Sequence, residues 1–93
     1  VSEEADEAER FLSLVAELQA KDDRLTSLQA ALIIAAERDI AHDSRTFARV
    51  FGTAHALVVR ELNALAERDA WLQIVEREPR TLRTHYVLKQ DKS

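Results

Sequence analysis

Gly52 is the only glycine in the chain, and it stands between two segments that both read as helix. A glycine accepts the left-handed backbone conformation that commonly ends a helix. Upstream, Asp43 is placed to cap a helix over Ser44 to Phe51, with Phe47, Val50 and Phe51 on its apolar side. Downstream, Thr53 is placed to cap a helix over Ala54 to Arg68, whose core stripe is Val58, Leu62 and Leu65 with Leu57 beside it. Two helices therefore meet at a one-residue corner, which is a helix-turn-helix pattern.

The flanking segments extend this pattern. Phe11, Leu12, Val15 and Leu18 recur at helical spacing within residues 3–20, and acids crowd the first turns, where the helix dipole favours them. Lys21, Asp22 and Asp23 form a break. Thr26 stands three residues before Gln29, the spacing of a capping box, and opens a second helix that ends near Asp39. Its apolar stripe of Leu28, Leu32, Ala35 and Ala36 is widened by Ile33 and Ile34, as expected of a central, buried helix. Ile40 to His42 is a short segment compatible with extended backbone. From Trp71 the helical period is lost: WLQIVERE and THYVLK read as strands around the polar loop EPRTLR, which holds the only proline. Trp71 and Tyr86 are expected to pack this hairpin on the helices. The expected fold is mainly α with a small β-hairpin (α+β), in the order of a winged helix-turn-helix.

Composition limits the function. Hydrophobic residues make up 46% of the 93 positions and charged residues 32%, which suits one globular domain. Cysteine is absent, which excludes disulfides, thiolate metal sites and cysteine nucleophiles and fits a reducing compartment. No apolar run approaches the ~20 residues of a membrane span, and the acidic N-terminus is unlike a secretory signal. His42, His55 and His85 are too widely spaced for a metal motif. No Ser-His-Asp order, glycine-rich phosphate loop or HExxH is present, so no catalytic residue, cofactor or metal is expected. The net charge of −4 is unevenly spread: residues 1–23 carry −6 and the remainder +2. The overall acidity argues against nucleic acid, but the asymmetry reopens that class.

Four stretches in this order resemble the MarR family of winged-helix transcription regulators. LTSLQAALIIAA is similar to the family's LTxxQ-type second helix, and TFARVFG stands where the family shows an ELARRLG-type helix. TAHALVVRELNALAERD resembles the recognition helix, including Arg60, Leu65 and the closing Glu67-Arg68, and QIVEREPRTLRTHYVL resembles the wing. The resemblance runs from Leu25 to Leu88. It implies a homodimeric bacterial regulator, most often a repressor, in the cytoplasm at the nucleoid. Such a protein binds pseudo-palindromic duplex DNA and often answers a small-molecule effector. The chain matches a short form without the family's C-terminal dimerisation helices, and Asp69 stands where a glycine usually follows the recognition helix. Residues 1–23 are then expected as an acidic dimerisation element, with Phe11, Leu12, Val15 and Leu18 as its seam, and residues 24–93 as the DNA-binding domain. The absence of cysteine excludes thiol-based oxidant sensing.

Within that frame the residues suggest their own contacts. Polar side chains near the start of a recognition helix read base edges, so Thr53, His55, Arg60 and Asn63 are candidates, while Ala56 and Val59 suit a thymine methyl. Whether Arg60 reads guanine or clamps a phosphate stays open. Arg77, Arg80 and Arg83, with Thr81 and Thr84, suit backbone phosphate, and arginine also suits a narrow minor groove. Ser44 and Arg45 begin the third helix, where a phosphate can meet backbone N–H groups. The rival expectation is a winged-helix protein-interaction module without DNA binding, favoured by the net acidity and the apolar AHALVV segment.

Overall fold

A computed structural model describes residues 3–89. It is mainly helical: α1 (Glu3–Lys21), α2 (Ser27–Glu37), α3 (Ser44–Phe51) and α4 (His55–Glu67) precede the strands β1 (Leu72–Arg77) and β2 (Thr84–Leu88). The strands form one antiparallel pair, so the class is α+β. Residues 1–2 and 90–93, the outer ends of the two expected segments, lie outside the described residues. Among the described residues no helix is long and apolar enough to cross a membrane.

The helix boundaries follow local chemistry. The Gln29 N–H donates to Thr26 Oγ1 at 3.0 Å and the Thr26 N–H donates to Gln29 Oε1 at 3.1 Å, which completes the capping box at α2. Asp43 caps α3 by accepting the Thr46 N–H at 2.9 Å. Gly52 closes α3 with φ +63°. Thr53 does not cap α4, contrary to expectation: Ala54 holds the cap position, no side chain bonds the helix start, and the Thr53 hydroxyl turns back toward the Phe51 carbonyl at 3.4 Å. Asp39 and Asp69 also take positive φ, at 59° and 57°. Short polar side chains tolerate that conformation, so Asp69 turns the chain where a glycine is usual.

The core is continuous. α2 is buried on nearly every side through Gln29, Ala30 and Leu32 to Ala36, as its wide stripe predicts. Val58, Leu62 and Leu65 of α4, Phe47 of α3, and Leu72 and Tyr86 of the hairpin pack with it. Val15 and Leu18 of α1 belong to this same core. Most of the surface of both side chains is therefore spent on packing within the chain. The hairpin register runs from Leu72↔Leu88 to Arg77↔Thr84, with a bulge between Ile74 and Glu76. The segment before α3 is extended only at its end, where the Tyr86 N–H donates to the His42 carbonyl at 3.2 Å and Asp43 bridges to His85.

Asp22 fastens three elements. Its Oδ2 accepts Arg68 Nη2 at 2.8 Å and the Trp71 indole Nε1 at 2.9 Å, and its Oδ1 accepts from Arg24. The Trp71 N–H, and after it Arg68, hold this carboxyl well below the usual carboxylate range. A pKa depressed by folding stabilises the native state above the unfolded value of about 3.9 and ceases to do so as pH falls through the folded value. Asp22→Asn should melt at a lower temperature than the parent at pH 7, with the gap closing as pH drops below about 4. Thermal melts followed by circular dichroism across that range would show it; a gap independent of pH would mean that Asp22 acts by packing alone.

Candidate nucleic-acid interface

Asp43 sets the geometry of a basic groove between α3, the start of α4 and the hairpin. By fixing the first turn of α3 it places Arg45 and Arg49 one turn apart on the exposed side of that helix. Both lack a carboxylate partner among the described residues. After the Gly52 corner the chain presents Thr53 and His55, and from the hairpin Arg83 reaches back. These residues and Ala48 line a groove of about 470 Å³.

The groove is braced from beneath by Ser44, which is fully buried. Its Oγ accepts the Thr84 N–H at 2.9 Å and lies 2.7 Å from His55 Nε2. The hydroxyl proton is thus free to point at Nε2, an assignment that leaves the neutral ring's own proton on Nδ1. Burial, then Arg45, then Arg83 lower the His55 pKa against the opposing pull of Asp43. The ring is accordingly neutral near pH 7. Asp43 is also the counter-charge of Arg83, whose Nε donates to Oδ2 at 2.9 Å. Burial works to raise the Asp43 pKa, but the Thr46 N–H and hydroxyl and the Arg83 guanidinium outweigh it and hold the group ionised.

The expected site residues therefore separate. Arg45, Thr53, His55 and Arg83 come together around one groove. Ser44 and Thr84 do not meet a phosphate, because both are buried and Ser44 joins α3, α4 and β2 from inside. Arg77 is held against α4, its Nη2 donating to Asn63 Oδ1 at 2.9 Å, so those two side chains already satisfy one another. Ala56 and Arg60 are exposed on α4, and Val59 is half-buried. Arg80 and Thr81 are exposed at the hairpin tip, where Thr81 Oγ1 accepts the Arg83 N–H at 3.1 Å. Arg49 was not among the expected residues. Its signal was present, since it follows Arg45 by four positions on a helix that ends at Gly52.

The expected seam on α1 separates as well. Val15 and Leu18 are core, and the Phe11 ring packs 5.2 Å from that of Phe51. Leu12 alone is largely free, at 66% exposed. No protein-family model, curated protein or solved structure matches this chain.

Proposed function

We propose that this protein is a sequence-specific DNA-binding regulator of winged helix-turn-helix, MarR-like type, acting as a dimer. The observation that carries this reading is the basic groove at the α3–α4 corner. Two arginines on α3, unpaired among the described residues, and Arg83 from the hairpin, held by Asp43, converge on the start of α4. Exposed guanidinium groups in that arrangement suit adjacent phosphates of one strand, which fix the register of a helix entering the major groove. His55, Ala56 and Arg60 then stand on the leading part of α4, where base edges are met. Arg80 and Thr81 at the hairpin tip reach for the flanking backbone.

Phosphate contacts release counterions, so affinity must fall steeply as salt rises. Fluorescence anisotropy titration of a labelled random duplex pool at two salt concentrations is the direct measurement. Binding at low salt that weakens sharply at higher salt is the expected result; no binding at low salt ends the DNA reading.

A second reading has one observation in its favour. Asn63 and Arg77 engage one another, and Ala56 is exposed on α4, so that helix offers few free donors. The same face would then serve a protein partner. A complex that survives high salt, with no DNA binding, would distinguish it.

A further inference from the structure

An arginine can only donate hydrogen bonds, but a neutral histidine can donate or accept at either ring nitrogen. His55 shares the basic groove with Arg45, Arg49 and Arg83, so the sense of its ring decides which atoms can sit among them. That sense is set beneath the groove. Ser44 is fully buried, and its Oγ accepts the Thr84 N–H at 2.9 Å and stands 2.7 Å from His55 Nε2. The Thr84 donor is backbone and cannot reverse. The Ser44 proton has no other acceptor among the described residues, so it either meets Nε2 or stays buried without a partner. Meeting it makes Nε2 the acceptor and puts the ring's own proton on Nδ1. Nδ1 has no partner of its own among the described residues and is not sealed from solvent. It is the ring atom left for a ligand.

We propose that Ser44 is a positioning residue that determines specificity: it holds His55 as an Nδ1–H donor, so that His55 takes only an acceptor atom of the duplex. This deepens the DNA reading and rests on it. The acceptor is a phosphate oxygen or, on a base edge, guanine N7 or O6 or thymine O4. The amino group that cytosine shows in the major groove is refused, since donor would face donor. The three guanidinium groups around the ring favour the same class of partner, because each of them also seeks an acceptor. Protonation offers the ring no escape near neutrality. Burial, then Arg45, then Arg83 oppose a second ring proton against the pull of Asp43. A proton on Nε2 would also make Ser44 Oγ a double acceptor and strand the hydroxyl's own hydrogen inside the fold.

Long-range proton–nitrogen correlation spectra of the isotope-labelled 93-residue chain read the ring directly, with no DNA present. At pH 7 His55 should show a protonated Nδ1 and a bare Nε2, and at pH 6.5 it should still be mostly neutral. Ser44→Ala should move the ring proton toward Nε2, a change that lost bracing alone would not produce. That variant also strips the Thr84 N–H of its acceptor, so circular dichroism checks its fold, and the parent spectrum stands without it. The duplex arm compares His55→Asn, whose amide keeps a donor near the place of Nδ1, with His55→Gln, whose amide lies near that of Nε2. In anisotropy titrations the glutamine variant should bind roughly tenfold more weakly than the parent, and the asparagine variant should stay closer to it. A loss shared by all sequences assigns the acceptor to a phosphate, and a loss confined to one base position assigns it to a base edge. A bare Nδ1 in the parent, an unchanged ring in folded Ser44→Ala, or parental affinity in His55→Gln would each overturn the proposal. If the parent binds no duplex, the DNA reading falls and this role falls with it; a bare Nδ1 in a chain that binds DNA removes this inference alone.

Discussion

Exchanging Arg45 and Arg49 together for alanine should lower affinity for duplex DNA roughly a hundredfold and shallow the log–log salt slope by nearly two. Both side chains are exposed and neither has a carboxylate partner among the described residues, so their charge is available to a ligand. A phosphate bonded by a guanidinium gains a charge-assisted contact and sheds its condensed counterion. Removing two such contacts weakens every sequence alike, because phosphates carry no base identity. The fold should be indifferent, since surface exchanges away from caps and cores stay within about 0.5 kcal/mol. Arg80→Ala at the hairpin tip should cost less. Anisotropy titrations at several salt concentrations, paired with melting curves, supply both readouts. Parental affinity in the double variant would place the DNA surface elsewhere.

Phe47→Ala should destabilise the chain by about 3–5 kcal/mol. Phe47 is 1% exposed, and its ring stacks on that of Phe51 with centroids 4.4 Å apart. Alanine would leave a cavity between α3 and the core that a short helix cannot close without losing its place beside α4. In a domain of this size each kcal/mol moves the melting point by about 4–8 °C, so a fall of roughly 12–40 °C is expected. Domains this small bury proportionately little surface, and total stabilities lie near 5–15 kcal/mol. The variant should therefore be close to unfolding at physiological temperature. Glu17→Ala, at an exposed position of α1, is the control, with a shift of no more than a few degrees. A drop of similar size in both would mean that the Phe47 site is no more buried than the surface of α1.

The sequence was most informative where the physics is local. A capping box depends on two residues three apart, and Thr26 with Gln29 announced α2 correctly. Asp43 and Gly52 bounded α3 for the same reason, one by a side-chain acceptor and the other by its backbone freedom. The loss of helical period after Trp71 located both strands. What stayed hidden depends on residues far apart in the chain. Ser44 and Thr84 looked like surface hydroxyls, but they meet each other across forty positions and close inward. Arg83 finds Asp43 at the same separation, and Asp22 finds Arg68 and Trp71 still further away. Val15 and Leu18 show the same limit. Helical spacing identifies an apolar stripe, yet it does not say whether the stripe faces its own chain or another. Thr53 failed as a cap because the Gly52 turn leaves Ala54 at the helix start and carries the hydroxyl back toward Phe51.

The Ser44 oxygen gives the basic groove a mechanical property. One atom touches α4 through His55 and β2 through Thr84 while belonging to α3. The three elements that bring Arg45, Arg49 and Arg83 together are thus joined at a single buried oxygen. A ligand on the proposed surface would meet arginines carried by a platform already braced from inside. If the surface binds as proposed, much of the conformational entropy that a looser cationic surface would lose on association is already surrendered during folding.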